Sequence, residues 1–161
     1  MKNDIRSSTV RTQNFRQARI LIIENDPAQL AMIEHCLRVC LPEVEPIKAI
    51  DEQQAITYLS AGKLDESKLP KLILLDMLMP HRDDSWRILR RIKELPAPAN
   101  QIPVLMLSYS ADVDDVSESY DQGSSSYLVK PANDDEWLAY FQMLCKYWWE
   151  TVSLPLADYR Y

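Results

Sequence analysis

The sequence predicts an α/β protein built on a doubly wound sheet of five parallel strands with five helices. Three observations lead there. Five short apolar runs alternate with stretches of helical period. The runs are continuous rather than alternating apolar with polar, which suits strands covered on both faces. Hydrophobic residues make up 47% and charged residues 26%, an ordinary globular composition. At 161 residues the chain has material for one such core and a tail, not for two full cores.

Each element has its own signal. Ile20-Leu21-Ile22-Ile23 is too short for a helix and rich in β-branched residues, so it reads as the first strand. Asp26-Pro27 then offers an N-cap with proline at the first helical position. Leu30, Ile33, Leu37 and Leu41 share one face of the helix that follows. Glu45 to Ile50 is a weaker second strand, and Ala55, Ile56 and Leu59 mark the second helix. A long polar connector, Ala61 to Pro70, leads to the third strand at Lys71 to Leu75.

Trp86, Leu89, Ile92 and Leu95 mark the third helix, with Arg87, Arg90, Arg91 and Lys93 as its solvated face. Pro103 to Leu107 is the fourth strand, and Val113, Val116 and Tyr120 mark a short acidic fourth helix. Ser126 to Val129 is the fifth strand. The last helix runs from about Asp134 to Val152. Trp137, Phe141, Leu144, Cys145, Trp148 and Val152 form its core stripe. Tyr140, Met143 and Tyr147 fall on a second face that exceeds what the core needs, and this face is read as the interface of a homodimer.

Three segments follow from this reading: a basic flexible arm over 1–18, the alternating domain over 19–152, and an extension over 153–161. The first nineteen residues hold five basic residues against one acidic, and the rest 13 against 23. A net charge of -6 argues against a nucleic-acid partner. No apolar run approaches the roughly 18 to 20 residues of a membrane span, and the first residues lack the apolar stretch of a secretory signal. Three cysteines, an odd count, fit reduced thiols in a cytoplasmic protein. Cys36 and Cys40 read as small buried hydrophobes rather than a metal site. Nothing follows Tyr161, so output is expected by binding to another protein.

Function in an open α/β sheet gathers at the carboxyl ends of the strands. Here those ends read Glu24-Asn25-Asp26, Asp76-Met77-Leu78, Ser108-Tyr109-Ser110 and Lys130-Pro131. An aspartate directly after four apolar residues leaves a charge at the rim of a core, which needs a partner. The chemistry that fits is phosphoryl transfer to Asp76, since a carboxylate can act as nucleophile and form an acyl phosphate. The group being moved needs positive charge, which Mg²⁺ on oxygen ligands and a lysine supply. Ser108 is placed to bond a phosphoryl oxygen.

These stretches resemble the response-regulator receiver domain of two-component signalling. The resemblance runs through Ile20 to Pro27, Leu72 to Pro80, Pro103 to Ser108 and Tyr127 to Pro131, and covers about Ala18 to Val152. It implies a flavodoxin-like sheet of order 2-1-3-4-5. It implies that Asp76 is the phosphoacceptor for a histidine kinase, and that Glu24, Asn25, Asp76 and the backbone carbonyl of Leu78 hold Mg²⁺. By the same likeness Ser108 is the switch hydroxyl, Tyr127 the switch aromatic and Lys130 the phosphoryl-pairing lysine, with a cis bond to Pro131. The segment Tyr147 to Pro155 and the connector Ala61 to Pro70 resemble the phytochrome-associated response regulators of cyanobacteria. That likeness implies a kinase of the phytochrome type and a homodimer.

The chain departs from the family pattern in three places. Asn25 stands where relatives usually carry a metal-binding Asp, so one ligand brings no charge. Pro80 to Ser85 forms a loop one residue longer than usual and without its glycine. Tyr109 replaces a commonly small residue. A degenerate receiver, working as an interaction module without phosphorylation, is therefore the alternative. A haloacid-dehalogenase type of phosphatase also uses an Asp nucleophile after a strand. It needs a second Asp two residues on, where this chain has Leu78, so the chain is not read as an enzyme.

Overall fold

The computed structural model describes residues 18–61 and 65–151. Five strands, β1 Arg19–Ile23, β2 Glu45–Ala49, β3 Leu72–Asp76, β4 Val104–Ser108 and β5 Ser126–Val129, form one sheet. Its order is β2-β1-β3-β4-β5, and every neighbouring pair is parallel. The helices are α1 Pro27–Cys40, α2 Glu52–Ala61, α3 Arg82–Glu94, α4 Val113–Asp121 and α5 Trp137–Cys145. The five-stranded doubly wound architecture is the one expected from the sequence.

Alternation along each strand divides the core in two. Ile20, Ile22, Leu72, Leu74, Leu105 and Leu107 pack with Ile33 and Leu37 of α1 and with Trp137 and Phe141 of α5. Leu21, Ile23, Ile73, Leu75, Val104 and Met106 pack on the opposite face with Leu59 of α2 and with Trp86, Leu89 and Ile92 of α3. Both faces are covered, which is why these runs carry no polar positions. Trp137 stacks on Phe141 at 6.0 Å between ring centroids.

Asp76 and Ser108 are the last residues of β3 and β4, so each strand runs one position further than the apolar run that marks it in the sequence. The ladder therefore fixes both: Asp76 pairs in register with Leu107, and Ser108 with Val129. Arg19, grouped with the basic arm by its charge, opens β1 and pairs with Glu45 at 2.9 Å. The rest of the arm up to residue 17, and the extension 153–161 together with Val152, lie outside the described residues.

Several expectations are corrected. The inner face of α4 carries Asp115 and Ser119, while Val113 and Tyr120 are exposed. Hydrogen bonds decide this: Asp115 is bonded by Ser110, and Ser119 by Ser124. The basic run on α3 is not merely solvated. Arg87 and Arg91 both bond Glu52 of α2, at 2.6 and 2.5 Å, and half-buried Lys93 donates to the Ile102 carbonyl at 3.1 Å. The last helix is α only to Cys145 and continues as a π-helix over Lys146–Thr151.

Tyr140 does not lie on an exposed face. Its ring packs edge-on against Trp137 and Phe141, at 6.4 and 6.0 Å between centroids. A helical side chain leans toward the turn before it, and here that turn starts at Trp137. Met143 and Tyr147 are exposed as expected, at 66% and 57%. The bond before Pro131 is trans, and cis bonds lie instead at Met79-Pro80 and Ala97-Pro98. The two isomers before proline differ by about 1 kcal/mol, so tertiary context and not the local sequence selects between them.

Candidate functional site

Four strand ends converge on an open cavity of about 620 Å³. It is lined by Glu24, Asn25, Asp76, Leu78, Ser108 and Lys130, together with Gln29, Arg82 and Tyr109. The parallel sheet brings them together because every strand ends on the same edge. β1 delivers Glu24, β3 Asp76, β4 Ser108 and β5 Lys130.

Asp76 is buried, and so are Glu24, Ser108 and Lys130. The Lys130 ammonium bonds Asp76 Oδ1 directly. It also bonds Gln29 Oε1 at 2.5 Å and lies 3.6 Å from Glu24 Oε2. The other Asp76 oxygen accepts the Leu78 backbone N–H at 2.9 Å, and the Asp76 carbonyl accepts from Ser85 Oγ at 2.9 Å. Tyr109, 55% exposed, places its ring 4.9 Å from the Lys130 nitrogen.

Glu24 is held less completely. Its Oε1 accepts the Asp26 N–H at 2.9 Å, but Oε2 is buried without a hydrogen-bond partner. Burial, with the Asp76 carboxylate beside it, pushes the Glu24 carboxyl up to about 7. Two buried carboxylates share one ammonium, so the site is short of positive charge. An oxygen donor set with an orphaned carboxylate oxygen fits a hard divalent cation. Glu24 and Asp76 would supply the charged ligands, the exposed Asn25 and the Leu78 carbonyl neutral ones. Among the described residues no three His, Cys, Asp or Glu form a ready-made cage. Oxygen donors of this kind suit a hard ion that keeps several of its waters rather than a soft metal.

Asp26 is the helix cap that its Pro neighbour suggests, for its Oδ1 accepts from Ala28 and Gln29 at 2.9 and 3.4 Å. The hydroxyl of Tyr127 donates to the Ser110 carbonyl at 2.8 Å, on the loop that follows Ser108. Ser108 Oγ itself accepts the Ser110 N–H at 3.0 Å. Sequence reasoning placed Glu24, Asn25, Asp76, Leu78, Ser108, Tyr127 and Lys130 around one site; six of them line the cavity, and Tyr127 stands outside it, one hydrogen bond away through the Ser110 carbonyl. Sequence reasoning missed Gln29 and Arg82. Their signal was position: each sits in the first turn of a helix that follows a strand, and such turns face the sheet's carboxyl edge.

A five-stranded sheet of this order, with a buried Asp-Lys pair and an acidic neighbour at its carboxyl edge, defines a class. The chain belongs to the response regulator receiver domain family, which residues 20–142 match. It is 33% identical over 139 residues to the response regulator Rcp1 of Synechocystis sp., spanning 86% of this chain and 93% of that protein. The structure of the phosphorylated cyanobacterial phytochrome response regulator RcpA is similar at TM-score 0.75 and 30% identity, over 86% of this chain and 99% of that one. The Mn²⁺-bound form of Rcp1 is similar at TM-score 0.73 and 32% identity, with the same coverage. These relatives are signalling proteins rather than enzymes. Among the described residues no helix is long and apolar enough to cross a membrane.

Proposed function

We propose that the chain is a phosphorylation-switched response regulator whose phosphoacceptor is Asp76. The observation that carries this is the Lys130 ammonium bonded to Asp76 beside the unpartnered Glu24 oxygen. A carboxylate oxygen of Asp76 attacks the phosphorus of a phosphohistidine. The P–O bond forms, the P–N bond breaks, and the imidazole leaves with a proton from solvent. Lys130 neutralises charge on the transferred group, and Ser108 donates its hydroxyl to a phosphoryl oxygen. Tyr127 follows the loop that carries Ser110. Mg²⁺, when bound by Glu24, Asp76, Asn25 and the Leu78 carbonyl, supplies the remaining positive charge.

The donor we assign is a histidine kinase of the phytochrome type, and the compartment is the cytoplasm. The likeness to Rcp1 and to the phytochrome response regulator RcpA supports the choice of kinase. Met143 and Tyr147 form an exposed apolar face, which supports a homodimer that signals through a further protein rather than through nucleic acid. The test is phosphotransfer. A phytochrome-type kinase carrying labelled phosphohistidine should pass its label to the wild-type chain in the presence of Mg²⁺, and chelation should stop the transfer. Label that stays on every such kinase tested would contradict the assignment of donor.

A second reading has an observation of its own. Asn25 brings no charge to the cavity, where the Asp26 carboxylate caps α1, and Tyr109 stands over Lys130. A degenerate receiver that binds its partner without phosphate would tolerate both.

A further inference from the structure

Arg82 stands between two anions. It lines the cavity above Asp76, and its guanidinium pairs with Asp115 Oδ1 at 2.6 Å. The partners differ in burial: the Arg82 side chain is 53% exposed, that of Asp115 only 4%. Asp115 belongs to the inner face of α4 and takes a second bond from Ser110 Oγ at 2.6 Å. Ser110 in turn donates its N–H to Ser108 Oγ and accepts the Tyr127 hydroxyl on its carbonyl. The attachment of α4 therefore runs from Ser108 and Tyr127 through Ser110 to Asp115. It is closed by a cation at the rim of the phosphoryl cavity.

Charge decides which anion holds that cation. In the resting chain Asp76 already has Lys130, so Asp115 is the better partner for Arg82. A phosphoryl group on Asp76 changes the balance, because it brings added negative charge and oxygens that a guanidinium binds two at a time. Resting on the reading of Asp76 as phosphoacceptor, we propose that Arg82 is a second cationic ligand of the phosphoryl group. Asp115 holds it in the resting chain, and its transfer to the phosphoryl group loosens α4. A buried carboxylate that loses its partner is strongly destabilising. That cost falls on α4, whose outer face presents Val113 and Tyr120 to solvent.

The test uses the full chain with acetyl phosphate and Mg²⁺, read by intact mass and by amide hydrogen exchange over residues 113–121. Wild type should gain one phosphoryl group and exchange α4 about tenfold faster afterwards. Arg82→Gln should gain it about tenfold more slowly and show fast α4 exchange from the start, without further change. Asp115→Asn frees Arg82 and should gain it at least as fast as wild type. The double variant leaves no unpaired buried charge, so it folds if the single Arg82→Gln does not, and it should be slower than Asp115→Asn. Wild-type uptake and a wild-type change in α4 exchange in Arg82→Gln would overturn the proposal. So would equal uptake by the double variant and Asp115→Asn. No uptake by wild type would overturn the phosphoacceptor reading and this proposal with it, a result distinct from either of those.

Discussion

The Lys130 ammonium and the Asp76 carboxylate form a buried ion pair across 54 positions of sequence. The Glu24 oxygen, 3.6 Å from the same nitrogen, makes the pair a triad with one charge too few. That arrangement is stable enough to fold and incomplete enough to attract a cation. Lys130→Gln should leave two carboxylates without their ammonium. Breaking a buried pair from one side costs about 3 to 5 kcal/mol, so the metal-free protein should melt roughly 10 °C lower at neutral pH. Calorimetry checks this, and an unchanged melting temperature would mean that Lys130 holds neither carboxylate.

Glu24 gives the site a pH signature. Its carboxyl titrates at about 7 in the folded chain against an ordinary value of 4.5. The folded state thus binds this proton more tightly than the unfolded one. The associated stability is fully present below 4.5, declines as pH rises, and is lost above about 7. Glu24→Gln imitates the neutral form. It should match wild type at pH 4 and exceed it in metal-free buffer at pH 8, by about 1 to 3 kcal/mol. Urea unfolding at both pH values tests the sign. A variant less stable than wild type at pH 8 would show that the Glu24 charge is well satisfied.

Asn25 lowers the charge available to a metal. Each charged oxygen adds affinity for a hard cation, so Asn25→Asp should bind Mg²⁺ about tenfold more tightly, a gain of about 1.4 kcal/mol. Titration calorimetry measures it directly. Equal affinity in the two proteins would remove Asn25 from the ligand set.

The outer face of α5 and its continuation presents Met143 and Tyr147, whereas Tyr140 belongs to the core. Tyr147→Ala should therefore weaken self-association by about 2 kcal/mol, roughly thirtyfold, and leave helical circular dichroism unchanged. Tyr140→Ala should do the reverse and lower stability. Sedimentation at micromolar and higher concentration decides. A wild-type monomer throughout that range would end the homodimer proposal.

The strands, and Glu24, Asn25, Asp76, Ser108 and Lys130 at their ends, could be read from sequence because apolar runs and the polar residues that end them are local signals; the strand order and the parts of Leu78 and Tyr127 came from the family resemblance. What could not be read depended on partners far along the chain. Arg87 and Arg91 look solvated until Glu52 of α2 is placed beside them. Val113 and Tyr120 look like a core stripe until Asp115 and Ser119 find hydrogen bonds that take α4's inner face. Tyr140 has the spacing of a second face, and only the rings of Trp137 and Phe141 reveal why it turns inward. The place of Arg82 at the sheet's carboxyl edge had a local signal, but its partner Asp115, 33 positions on, did not.

Switching of this chain depends on Asp76 accepting a phosphoryl group. Wild type and Asp76→Asn, incubated side by side with acetyl phosphate and Mg²⁺, are compared by intact mass. The carboxylate attacks phosphorus and acetate leaves, so wild type should gain the mass of one phosphoryl group. A carboxamide is no nucleophile, so Asp76→Asn should gain none. A phosphate on the variant would contradict Asp76 as acceptor, and a wild type that remains unmodified would leave the degenerate receiver in its place.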